Sequence, residues 1–141
     1  MKARHVSSLC VYAALAMPFA TRAAGIGNVV TFTRDIGPIF QKNCQSCHHP
    51  GTSAPMSLVT YLDARPWAKS IKQKVVTRDM PPWHLDKTVG IQKFQNDISL
   101  NDEQIATITR WVDEDAPLGN AKDMPGPKQW PTDDGWQLAK Q

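Results

Sequence analysis

Cys44-Gln45-Ser46-Cys47-His48 is the stretch from which the rest of this chain is read. A Cys-x-x-Cys-His run is the attachment signature of a c-type haem, and the chemistry needs that spacing. On one helical turn, residues at i, i+3 and i+4 share a face. Cys44 and Cys47 are thereby placed to form thioethers with the two haem vinyl groups, and His48 to come up beneath the iron. Three other readings use the same residues. A redox-active dithiol wants a strand-then-helix context. A structural zinc needs four ligands, and beyond the two cysteines the candidates are only His49 and His84. A structural disulfide is the plainest reading. Of the four, haem attachment is favoured.

Working outward, the pattern is helical on both sides of the motif. A first helix is expected to begin near Thr33 or Asp35, either of which can cap it, with Pro38 at an early position where its missing N–H costs little. Ile36, Ile39, Phe40 and Cys44 fall on adjoining parts of one face. His49-Pro50-Gly51 ends this helix, and a Gly-, Pro- and Ser-rich loop runs to Pro55. A carbonyl of this loop is expected to accept from Nδ1–H of His48 and so fix the ring. Met56 to Tyr61 opens a short helix, and Asp63 caps the next one. There Trp67, Ile71 and Val75 recur at i, i+4 and i+8 as an apolar stripe. Met80-Pro81-Pro82 must stop that helix. Trp83 to Asp97 is a connection without period. Ser99 or Asn101 caps the last helix, with Gln104 in the matching first-turn place. Its buried stripe is Ile105, Ile108, Trp111 and Val112, and Ala116-Pro117 closes it.

The 141 residues suffice for one small domain. Lys2, Arg4 and His5 precede a largely apolar run from Val6 to Ala20, and small residues follow at Thr21, Ala23 and Ala24. This reads as a secretory signal over residues 1–24, cleaved near 23/24. The run is shorter than the ~20 residues a spanning helix needs, so no membrane span is expected in the mature form. Removing Lys2, Arg4 and Arg22 turns 16 basic residues into 13, against 13 acidic ones. A near-neutral chain is a poor match for nucleic acid. Its two remaining cysteines are both committed to haem, which suits export to the periplasm. The expected organisation is a signal at 1–24, a haem-binding domain at 25–118 and a Pro/Gly-rich tail at 119–141 with Trp130 and Trp136.

The second axial ligand decides between electron transfer and chemistry at iron. Candidates after the motif are Met56, Met80, Met124, His49 and His84. Met80 leads, because a loop braced by Pro81 and Pro82 presents its thioether with little entropy to lose. His84 and Met56 stand as alternatives. Arg65, Tyr61, Trp67 and Trp83 are candidate donors to the haem propionates. Residues 63–93 carry seven basic and three acidic side chains, and residues 97–134 three basic and nine acidic. That polarity suggests a docking face at Lys69, Lys72, Lys74 and Arg78.

The layout resembles a monohaem, class I-type bacterial cytochrome c over about residues 32–118. It has a helix leading into Cys44–His48, a Pro-bearing loop, Met80-Pro81-Pro82, and a last helix with an aromatic. Ala54-Pro55-Met56-Ser57-Leu58 and Ala64-Arg65-Pro66-Trp67 also look like a bacterial cytochrome domain found beside oxidoreductases. The resemblance implies a small all-α domain around one covalent haem c, with Met80 as distal ligand. It implies one-electron Fe(III)/Fe(II) shuttling with a partner dehydrogenase, oxidase or reductase, or service as the electron-accepting small subunit of one. On this reading the chain is a carrier rather than an enzyme. A haem enzyme or ligand sensor with a displaceable sixth position is the alternative.

Overall fold

The computed structural model describes residues 28–82, 85–86, 88–90 and 94–130. The expected signal segment, Trp83, His84 and Trp136 lie outside the described residues. Every regular element among the described residues is helical, so the fold is all-α. A π-helical turn, Phe32–Ile36, runs into α1, Gly37–Asn43. After the motif and its loop come α2, Tyr61–Ala64, a 3-10 turn, Arg65–Trp67, and α3, Ala68–Val76. The last long helix is α4, Asp102–Asp113, and a 3-10 turn, Ala121–Asp123, follows it.

The first helical stretch starts ahead of both expected caps. Thr33 is buried inside it, and Thr31 stands at the cap position without a side-chain cap bond. The open N–H groups are satisfied from elsewhere: Phe32 donates to the Pro117 carbonyl at 2.9 Å and Thr33 to that of Leu118 at 3.0 Å. Backbone that returns from α4 therefore does the work of a cap. Asp35 instead reaches back, accepting from the Thr31 N–H at 2.7 Å. Gly119 follows directly, with φ +86, and a Cβ there would lie 2.5 Å from Thr33 Oγ1 and 2.6 Å from Thr31 Cβ.

Asp63 is likewise displaced from its expected role. Thr60 caps α2, accepting from the Asp63 N–H, while the Asp63 carboxylate accepts from the Thr60 N–H, a reciprocal capping box. Asp is compatible with either place, and the oxygen of Thr60 takes the earlier one. At α4 the expectation with Asn101 holds: Gln104 N donates to Asn101 Oδ1 at 2.8 Å, and Asn101 N to Gln104 Oε1 at 3.0 Å. Ser99 is not the cap.

The core is aromatic. Phe32, Phe40 and Trp111 are fully buried, with ring centroids 6.0–6.3 Å apart. Tyr61 packs edge-on against Phe32 at 5.5 Å. Such pairs contribute about 0.5–1.5 kcal/mol each beyond the area they bury. The polar tips are satisfied by the chain after α4: Trp111 Nε1 donates to Pro117 O and Tyr61 Oη to Ala116 O, both at 3.0 Å.

The basic face expected on α3 is largely matched within the molecule. Lys72 pairs with Asp113 at 2.5 Å, Arg65 with Asp115 at 2.9 Å, Lys74 with Asp79 at 3.0 Å, and Arg78 with Asp102. Packing α3 against α4 brings the basic and acidic stretches together, which a count along the chain cannot see. The acidic end of α4, unfavourable to the helix dipole, is offset by Lys72, Arg65 and Arg110, the last bonded to Glu114 at 2.7 Å.

Residues 119–130 pack back along α1. Met124 lies against Gly37, where a Cβ would meet its Sδ at 2.9 Å. Gln41 Nε2 donates to Gly126 O at 3.0 Å, and Lys128 Nζ to Gln41 O at 3.1 Å. Trp130 stacks on His49 with ring centroids 4.8 Å apart, and Lys128 Nζ sits 4.6 Å from the Trp130 ring.

Candidate functional site

α1 ends at Asn43, and the motif follows as one tight helical turn. Cys47 N donates to Cys44 O at 3.1 Å and His48 N to the same carbonyl at 3.0 Å. Both cysteines are free thiols, Cys44 half-buried and Cys47 exposed. Burial, with the neighbouring Cys47 adding to it, pushes the Cys44 thiol up to about 12. Among the described residues, no group of three or more His, Cys, Asp or Glu is placed to hold a metal ion.

The His48 ring is fixed by its neighbour in the following loop. Nδ1 lies 3.0 Å from the Met56 carbonyl oxygen. A carbonyl only accepts, so Nδ1 carries the proton and Nε2 keeps its lone pair for a metal. The acceptor is one residue beyond the loop that was expected to supply it. A further strut comes from Gln45, only 1% exposed, whose Nε2 donates to Leu58 O at 2.9 Å. Leu58 N donates to His48 O at 2.9 Å. The motif and residues 56–58 thus brace one another. The sequence offered no periodic signal for Gln45, because it lies in a turn between helices.

A cavity of about 430 Å³ opens beside the motif, within the range of cofactor-sized sites. Cys44, Cys47 and His48 line it together with Met56, Trp67 and Met80. Six sequence-derived candidates, Cys44, Cys47, His48, Met56, Trp67 and Met80, are therefore brought to one space. Met80 is 40% exposed and Trp67 43%. The Met80 loop is tied to α3, Met80 N donating to Lys74 O at 3.1 Å. Phe40, Ile108 and Trp111 are not on this lining and form the core behind it.

The other candidates are placed elsewhere. Arg65 pairs with Asp115, and Tyr61 bonds to Ala116, so neither side chain lines the cavity. Met56 is on the lining, with its carbonyl on the His48 ring. Met124 is packed at Gly37 and His49 against Trp130. Trp83 and His84 lie outside the described residues.

The residues present fit a covalent haem. There are two thiols at the attachment spacing, an oriented imidazole with a free Nε2, a thioether on the same cavity, and a lining rich in apolar side chains. An all-α fold closed around such a cavity defines a monohaem class I-type cytochrome c. The comparison with known families places it further: the profile described as cytochrome c oxidase, cbb3-type, subunit III, matches residues 33–112, more than half of the chain, and the chain belongs to that family. Membership implies haem c binding and haem-based electron transfer. No curated protein and no solved structure matches the chain significantly.

Proposed function

We propose that this chain is an exported electron carrier with one haem c. Cys44 and Cys47 would hold it through thioethers, and His48 and Met80 would bind its iron. The observation that carries this reading is the single cavity shared by Cys44, Cys47, His48 and Met80. When bound, the haem supplies a one-electron Fe(III)/Fe(II) couple. His48 Nε2 is made a better donor by the Nδ1–H bond to Met56 O. The Met80 thioether favours the reduced state relative to a second imidazole. Trp67, Ile71 and Leu58 line the cavity and would give the group an apolar wall. With His48 and Met80 both engaged, the iron would have no place left for a substrate, which supports a carrier of electrons over a catalyst.

The family's name points to an oxidase complex as the partner, with this chain as its electron-transferring subunit. The leader-like pattern of residues 1–24 supports a periplasmic location for the mature chain. No helix among the described residues is long and apolar enough to cross a membrane.

A second reading, a sensor or enzyme with a displaceable sixth ligand, draws on the 40% exposure of Met80. A thiol–disulfide oxidoreductase is disfavoured, since that chemistry needs a lowered thiol pKa and Cys44 is pushed the other way. Visible and near-infrared spectra in both redox states separate the three. A c-type pyridine haemochrome with a methionine–iron band in the oxidised protein is expected. Absence of the haemochrome overturns the haem reading. Absence of the band together with rapid CO or cyanide binding favours the sensor.

A further inference from the structure

Trp67, at the end of the 3-10 turn, and Ser70, Ile71, Lys74 and Val75 of α3 present one stripe to the cavity, at spacings of three and four. Apart from His48, Lys74 is the only described lining residue with an ionisable side chain of positive charge. The neighbouring cations are engaged away from the cavity, Arg65 with Asp115, Lys72 with Asp113 and Arg78 with Asp102. Lys74 instead pairs with Asp79 at 3.0 Å, and Asp79 immediately precedes Met80. The Met80 amide is bonded to the Lys74 carbonyl. One residue therefore grips the Met80 loop through both its backbone and its side chain.

From this arrangement we infer that the Lys74–Asp79 pair tunes the reduction potential of the site. The inference rests on the haem reading above and deepens it. The oxidised centre carries one more positive charge than the reduced one. A cation on the cavity lining disfavours that extra charge, and an anion beside the cation offsets the effect. Both side chains are about half exposed, 55% for Lys74 and 53% for Asp79. Water and salt therefore screen each of them, and the effect is moderate. Lys74 raises the potential, Asp79 lowers it, and the pair sets the balance.

The test is the midpoint potential of the holoprotein at low ionic strength in Lys74→Gln, Asp79→Asn, the double variant and Lys74→Arg. Lys74→Gln is expected to shift the reduced-to-oxidised ratio about two- to fivefold toward oxidised, a fall of about 20–40 mV for one electron. Asp79→Asn is expected to shift it about as far the other way. The double variant and Lys74→Arg should return close to wild type. All four should keep the methionine–iron band. Shifts of the same sign, no shift, or loss of the band in the single variants would overturn the inference, the last because it would make the pair a mere clamp on the loop. A wild-type protein without that band would instead count against Met80 ligation. The signs of the shifts can still be read in that case, because they depend on charge beside the haem and not on the sixth ligand.

Discussion

Gln45 Nε2 donates to the Leu58 carbonyl at 2.9 Å, so one of the two unspecified positions of the haem motif is a buried strut between the motif and the loop that orients His48. Gln45→Ala leaves that carbonyl without its donor and opens space beside it. A loss of about 1–3 kcal/mol is expected in guanidinium unfolding of the holoprotein. Gln45→Met, which fills the space without the bond, should lose less. Neither should change the axial-ligand spectrum.

Met80→Ala removes the proposed thioether ligand. The methionine–iron band should vanish, the potential should fall, and CO should bind the reduced protein readily. Persistence of the band in this variant would show that another side chain is the ligand.

Acid should loosen the start of the described chain before the haem region. The Glu114 carboxyl is held below its ordinary value by the Arg110 hydrogen bond and then by the Val30 N–H. A carboxyl depressed in the folded state stabilises it above the unfolded value, near 4.5. That contribution fades as pH falls through the lower folded value. Asp35 behaves alike: partial burial works against its charge, but bonds from Arg34 and Thr31 outweigh it. Hydrogen-exchange protection at Val30 and Thr31, taken relative to the intrinsic rate at each pH, should fall on acidification below about pH 4. Glu114→Gln should remove most of the pH dependence at Val30.

Gly119→Ala places a Cβ at positive φ and against Thr31 and Thr33. Strain of this kind costs about 1–3 kcal/mol, and thermal unfolding of the holoprotein should show it. Gly126→Ala, with open space around it, should be close to neutral by the same measurement.

Electron exchange with a partner should respond only weakly to salt. Lys72, Lys74 and Arg78 are each matched by a carboxylate on the same molecule, which reduces the positive field available to steer an approach. Stopped-flow rates that drop steeply between low and moderate ionic strength would contradict this.

What the sequence made legible was local. The Asn101–Gln104 capping box and the α3 stripe are set by residues a few positions apart, and both lie where the pattern put them. The Cys44–His48 turn is likewise set by its spacing, and the fold brings Met80 to the same cavity. What stayed hidden depends on distant backbone. The first helix starts early because the carbonyls of Pro117 and Leu118 receive its amides. Lys72 and Arg78 are matched by carboxylates of α4, and Arg65 is drawn to Asp115 instead of the cavity. Lys74 shares the Trp67 stripe and could have been found there, but its charge drew attention to the surface instead.

The family match ends at residue 112, yet the packing does not. Beyond it lie the acceptors for the Phe32 and Thr33 amides, the sulfur that seats against Gly37, and the indole that stacks on His49. The packed body among the described residues therefore runs to Trp130. A graft into another chain that stopped at the matched segment would carry the haem motif but leave behind part of the wall that holds it upright.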